Sequence, residues 1–241
     1  HRRGLPRYAT ALWACSREAV RWAYPRGDMP AWVIPNAIDT ADFAYSPEVR
    51  AACRRELGLE DSFVVGNVGR LQYAKNQRFL LEAFAGLHRI NGRARLLLVG
   101  EGPDQEALTR RAGALGLAES VLMPGFREDA ARLLQAMDVF AFPSLFEGLG
   151  IAAVEAQAAG LPCLMSEAVP RAAGVTELAS FLPVDDPAVW AEAMARAQSA
   201  PERRDHSGEV ARAGLDIVEA AQALTARLFQ LRARAGEASR G

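Results

Sequence analysis

Short apolar runs of β type alternate with amphipathic helical patterns along most of this chain, and nothing else in it constrains the fold as strongly. Strand-like runs fall at 11–16, 32–34, 63–68, 95–99, 121–123, 139–142, 163–166 and 180–182. Between and after them, helical periodicity covers 17–24, 48–57, 77–90, 105–115, 130–137, 149–159 and 186–197, and a long, interrupted stretch from 209 to 234. In 77–90 the apolar positions Phe79, Leu80, Ala83, Phe84 and Leu87 lie on one helical face. Strands joined through helices pair in parallel and are covered on both sides. The expected fold is therefore α/β, a Rossmann-like doubly wound parallel sheet. In such sheets ligands sit beyond the carboxyl ends of the strands. Four loops follow strands, at 67–70, 100–103, 124–127 and 143–150, and should converge on one rim.

Composition excludes several classes. A net charge of −1 gives no electrostatic footprint for nucleic acid. Cys15, Cys53 and Cys163 are odd in number and far apart, which suits reduced thiols and a cytoplasmic location better than a disulfide framework. No apolar run approaches the roughly 18 residues of a membrane span. The chain opens His-Arg-Arg-Gly-Leu-Pro-Arg, without Met or a signal pattern, and is expected to be a fragment. Residues 197–214 and the Arg/Ala/Gly-rich tail after 232 read as weakly ordered.

The chemistry concentrates around Glu147 and Glu155, eight residues apart in Phe-Glu-Gly-Leu-Gly-Ile-Ala-Ala-Val-Glu. On a continuous helix that spacing separates two carboxylates by about 12 Å along the axis. Between them Gly148, Leu149, Gly150 and Ile151 stand at a helix start, where unpaired N–H groups and the dipole favour a phosphate. A carboxylate, a phosphate cradle and a second carboxylate suit a sugar–diphosphate–ribose. A second cluster, Gly69-Arg70-Leu71 followed by Lys75, offers a guanidinium fork and a point charge able to neutralise a diphosphate without a metal. Taken singly, these cations and carboxylates would be ordinary surface residues. What separates them from that background is the longer string in which the two glutamates stand.

The string Phe-Pro-Ser-Leu-Phe-Glu-Gly-Leu-Gly-Ile-Ala-Ala-Val-Glu-Ala (142–156) resembles the hallmark line of the retaining GT-B glycosyltransferases with a Glu-x7-Glu motif. That family includes sucrose synthases and many bacterial polysaccharide enzymes. Val33-Ile34-Pro35-Asn36-Ala37-Ile38-Asp39 resembles the segment opening its C-terminal domain, with Ala37 where Gly is usual, making a positive φ there less favourable. Leu98-Val99-Gly100-Glu101-Gly102-Pro103 and Pro124-Gly125-Phe126-Arg127 resemble its nucleotide loops. Cys-Ser-Arg-Glu-Ala (15–19) is similar to polysaccharide-assembly members, and the resemblance runs from about Cys15 to Leu182.

The resemblance implies a nucleotide-sugar-binding domain over 31–200, a remnant of an N-terminal GT-B domain over 1–30, and a C-terminal helical segment over 201–241 whose end lacks fixed structure. Gly69, Gly100, Phe126 and Arg127 would then line the nucleotide site. Arg70 and Lys75 would neutralise the leaving diphosphate, and Glu147 would hold the sugar and Glu155 the ribose. The donor would be a UDP-sugar and the acceptor a saccharide or a lipid-linked sugar. No metal or other cofactor is implied, and the whole protein would associate peripherally with membranes. None of His1, His88 and His206 follows a strand in a Gly-rich loop, so the family's acceptor-side His is missing with the N-terminal domain. Asp185-Asp186 precede a Pro in a late loop and do not form a metal motif. Three other readings remain open. A dinucleotide oxidoreductase needs a third glycine where Gln105 stands. An epimerase of GT-B fold would use more cleft carboxylates and His, and a non-catalytic binding module would share the donor site alone.

Overall fold

The computed structural model describes residues 9, 11–25, 31–200 and 202–238. A small parallel pair, β1 (Leu12–Ala14) and β2 (Ala31–Val33), stands apart from the main sheet, with α1 (Arg17–Ala23) between them in the chain. The main sheet comprises β3 (Phe63–Val68), β4 (Ala94–Val99), β5 (Val121–Gly125), β6 (Val139–Phe142), β7 (Cys163–Ser166) and β8 (Ala179–Leu182). Its order is β5-β4-β3-β6-β7-β8 and every pairing is parallel. From β3 the chain winds outward through β4 to β5, then returns beside β3 as β6 and winds the other way. The expected doubly wound fold is what forms.

Period-two alternation sends successive side chains to opposite faces. Val64, Leu97 and Val99 pack with α2 (Pro47–Leu57), α5 (Ala130–Ala136) and α6 (Ile151–Ala158) through Cys53, Leu133, Leu134 and Val154. Val65, Leu96 and Leu98 face α3 (Gln77–Ile90), α4 (Gln105–Ala114) and α7 (Pro187–Ala197) through Leu80, Phe84, Leu87, Leu108 and Trp190. Local chemistry sets several ends. Ser46 accepts from Val49 N before α2, and Gly58 closes that helix in a left-handed conformation. Asp186 accepts from Ala188 N at the start of α7, a capping role for the late acidic pair.

Several local expectations change. The loop expected from Pro124 begins two residues later, because β5 is an edge strand where a missing proline N–H costs no ladder bond. The helix expected from Leu149 begins at Ile151, because Gly150 has φ 93°, outside the helical region. The stretch read as weakly ordered is packed: Val210 is buried, and Arg203 donates to the carbonyls of Ala159, Gln135, Met137 and Leu134. His206, in the loop over 202–206, is 2% exposed, between Arg204 and Glu209. The long terminal helical stretch breaks at Gly214, φ 79°, separating α8 (Ser207–Val210) and a π-type turn from α9 (Ile217–Ala238). The tail read as weakly ordered continues α9, and 239–241 lie outside the described residues, as do His1 and much of the 1–30 segment. Ile38 pairs with Asp216, and Asn76 is the sole non-glycine with positive φ among the described residues, so Ala37 does not adopt one.

Candidate functional site

The order of the strands reverses between β3 and β6, and the loops leaving these two neighbours carry the strongest candidates. From β3 comes Gly69-Arg70-Leu71, running into a short 3-10 turn, Tyr73–Lys75. From β6 comes Pro143 through Gly150, leading into α6. Leu145 N donates to Ala74 O at 2.8 Å, tying the two together. Across that tie Lys75 Nζ meets Glu147 Oε1 at 2.6 Å, with side-chain exposures of 19% and 11%. The ammonium also lies 4.9 Å from the centre of the Phe142 ring, a cation–π contact.

The β4 and β5 loops close the other side. Gly69 N donates to Val99 O, Gly100 N to Gly125 O and Leu71 N to Glu101 O, each at 2.9 Å. Gly100 has φ 133°, and a Cβ there would lie 2.1 Å from Gly69 O. Only glycine allows the two loops to approach so closely. A cleft of about 910 Å³ results, lined by Gly69, Arg70, Gly100, Phe126, Arg127 and Glu155, with Val68, Val99, Glu101, Gly102, Pro103, Gln105 and Ala130. Arg127 is held by Asp129 through two bonds of 2.7 and 2.8 Å, and this pairing lowers the Asp129 pKa to about 2. Phe126 stays exposed at the rim.

Lys75, Glu147, Gly148, Leu149, Gly150 and Ile151 are not among the residues lining that cleft. They adjoin it through Gly69, whose Cβ position would lie 3.5 Å from Lys75 Cε. The two glutamates are not two helical turns apart. Glu147 sits in the loop before Gly150, and only the path from Ile151 to Glu155 is helical. Glu155 thus lies one turn into α6, facing the cleft, and burial raises its carboxyl pKa.

Sequence reasoning treated Lys75 and Glu147 as separate ligand contacts and did not foresee their pairing. It also missed the residues beneath them. Gln77 is buried and its Nε2 donates to Arg70 O at 3.1 Å and Asn67 Oδ1 at 3.4 Å. Asn67 Nδ2 in turn donates to Ala141 O at 2.8 Å, linking β3 to β6 below the loops. Ser166 donates to Ser144 O, holding the loop that carries Glu147. A polar Asn inside the apolar run 63–68 was the one available signal.

The rim therefore presents a guanidinium and an ammonium, a glycine-lined cleft, a helix start and two carboxylates of unlike environment. Comparison with known proteins gives the family and the fold. Residues 49–214 match the model of the family described as "Glycosyl transferases group 1". EpsF of Bacillus subtilis (strain 168) is 35% identical over 227 residues, covering 90% of this chain and 58% of its own length. The D-inositol 3-phosphate glycosyltransferase of Segniliparus rotundus is 37% identical over 193 residues, covering 76% of this chain and 42% of its own length. The crystal structure of Anabaena HepE with UDP and glucose superposes with a TM-score of 0.81 at 25% identity, over 93% of this chain and 64% of that one. The chain thus spans roughly half the length of these curated relatives, and its fold is that of the GT-B glycosyltransferases. With the family model covering most of the described sheet and both loops of the site, this chain belongs to the glycosyl transferases group 1 family.

Proposed function

We propose that this chain is the donor-binding half of a retaining glycosyltransferase that moves a hexosyl group from a UDP-sugar to a saccharide or lipid-linked acceptor. The observation that carries the reading is the Lys75–Glu147 pair at the strand-order reversal, beside a cleft ending in Glu155. HepE, 25% identical, holds UDP and glucose, which supports this donor class. In this reading Arg70 and Lys75 stabilise charge developing on the leaving diphosphate, a preorganised electrostatic role. N–H groups from Gly148 to Ile151 assist, Glu147 takes sugar hydroxyls, and Glu155 takes the ribose. Gly69 and Gly100 let the backbone approach the nucleotide, and Phe126 and Arg127 flank its base. The two cations and the helix start serve in place of a metal.

The same reading divides the chain as the sequence implied, with the donor domain over 31–200 and a partner domain outside this chain contributing the acceptor side. The whole protein would work in the cytoplasm, peripherally at a membrane. No helix among the described residues is long and apolar enough to cross a membrane. The chain alone is expected to bind donor without efficient transfer, since acceptor orientation and cleft closure need the partner domain. Calorimetric titration with UDP, with and without EDTA, tests the proposal. Binding that survives chelation supports it, binding lost on chelation overturns the metal-free mechanism, and affinity for NAD without UDP overturns the donor class.

A further inference from the structure

Asn76 stands between the two residues that fix the Arg70–Lys75 loop. On one side Lys75 reaches Glu147 and the Phe142 ring. On the other Gln77 turns inward to Arg70 O and Asn67 Oδ1. Asn76 has φ 55° and ψ 35°, in the left-handed region, and no other non-glycine among the described residues has a positive φ. Its side-chain amide makes no capping bond to α3. What an Asn supplies at such a position is therefore backbone tolerance. The left-handed conformation is disfavoured for most L-residues, and Asn enters it more readily than they do.

The break decides where the neighbouring groups go. Asn76 N donates to Tyr73 O at 3.1 Å, closing the 3-10 turn, and Asn76 O accepts from Leu80 N at 3.3 Å, opening α3. With a right-handed residue at 76 the turn would run straight into α3 as one helix. Ala74 O would then accept from Arg78 N, four residues on. Instead it accepts from Leu145 N at 2.8 Å, the bond that ties the β3 loop to the β6 loop. The Lys75 stem passes over Gly69, its Cε 3.5 Å from the place a Cβ would take there, and its ammonium ends 2.6 Å from Glu147. Backbone strain of this kind persists only where the surrounding structure holds it. We propose that Asn76 is a positioning residue for Lys75. Its left-handed backbone frees the Ala74 carbonyl for the β6 loop and so sets the ammonium toward the donor's diphosphate. The proposal rests on the donor reading above and adds to it a residue that acts through Lys75.

The test compares Asn76→Gly, Asn76→Ala and Asn76→Val, each alone and combined with Lys75→Ala, by calorimetric titration with UDP. Glycine takes a positive φ freely, alanine at a cost and valine least readily. Asn76→Gly should keep UDP affinity within about two-fold of wild type, even where its melting temperature falls. Asn76→Val should weaken UDP roughly five- to ten-fold, and Asn76→Ala by less. In the Lys75→Ala background none of the three should weaken UDP further. A merely structural role would move the melting temperatures and neither the glycine rescue nor this non-additivity. Wild-type chain that does not bind UDP overturns the donor reading and the inference with it. Where wild type binds UDP, three results overturn the inference alone: valine and alanine variants that bind as wild type does, a glycine variant as weak as they are, or losses that persist in full without Lys75. Equal UDP affinity in wild type and Lys75→Ala leaves Asn76 nothing to position and overturns it as well. If the valine variant does not fold, the contrast between alanine and glycine decides.

Discussion

Lys75 Nζ lies 2.6 Å from Glu147 Oε1, joining the two loops that leave the neighbouring strands β3 and β6. The pair satisfies an otherwise costly, largely buried cation, which in the proposed reading faces the diphosphate. It also makes the two residues energetically dependent, so single substitutions will mislead. Lys75→Ala should weaken UDP and UDP-sugar equally, by about 1.5–3 kcal/mol, through loss of a charge-assisted contact. Glu147→Ala should leave UDP binding intact or tighter, since the ammonium is no longer shared, and should remove the added affinity of UDP-sugar. The double variant should bind UDP better than Lys75→Ala alone, because the unpaired carboxylate that repels phosphate is gone. Calorimetry on all four proteins measures this coupling. Additive effects would show that the ion pair does not act in binding.

Glu155 supplies a pH test. Burial raises its folded-state pKa above the ordinary 4.5. Its ionised form therefore destabilises the fold above the folded pKa, and that cost disappears as pH falls through it. Glu155→Gln should melt higher than wild type near pH 7.5, and the gap should close on acidification below about pH 4.5. The same variant should bind UDP more weakly, since an amide accepts ribose hydroxyls less strongly than a carboxylate. Thermal melts across pH, paired with UDP titration, check both halves.

Gln77 is not among the residues lining the cleft but holds the Arg70 carbonyl from beneath. Gln77→Ala should cost about 1 kcal/mol in UDP affinity, roughly five-fold, by loosening the loop. Restoring the amide one methylene shorter, as Gln77→Asn, should not recover the affinity. A UDP dissociation constant identical to wild type in Gln77→Ala would remove the positioning role.

Arg203 is a control at the amino ends of β6 and β7, away from the loops of the site. Its guanidinium donates to four carbonyls and lies over the Tyr45 ring, 4.5 Å from its centre. Arg203→Ala should lower stability in urea by about 1.5–3 kcal/mol while leaving UDP affinity unchanged. A matching loss of UDP binding would show that the two ends of the strands are coupled.

What the sequence alone determined was the order and type of the elements. Strands such as 63–68 and helices such as 77–90 are fixed by periodicity, because burial on two faces or on one stripe must be written into local spacing. The string around Glu147 and Glu155, and the loops at Gly69 and Gly100, were likewise legible as motifs. Ends were less so: whether Gly150 starts a helix or stands before it depends on a positive φ that composition permits but does not impose. Only the tertiary structure decided which distant residues meet. Lys75 and Glu147 are 72 positions apart in the chain, and they are brought together because β6 returns beside β3 rather than extending the sheet past β5. The buried hub at Arg203 was missed for the same reason. Its polar sequence neighbours suggest an exposed loop, while the carbonyls that hold it come from α5 and from the residues that follow α5 and α6. Long-range pairing depends on how the sheet winds, which local patterning does not encode.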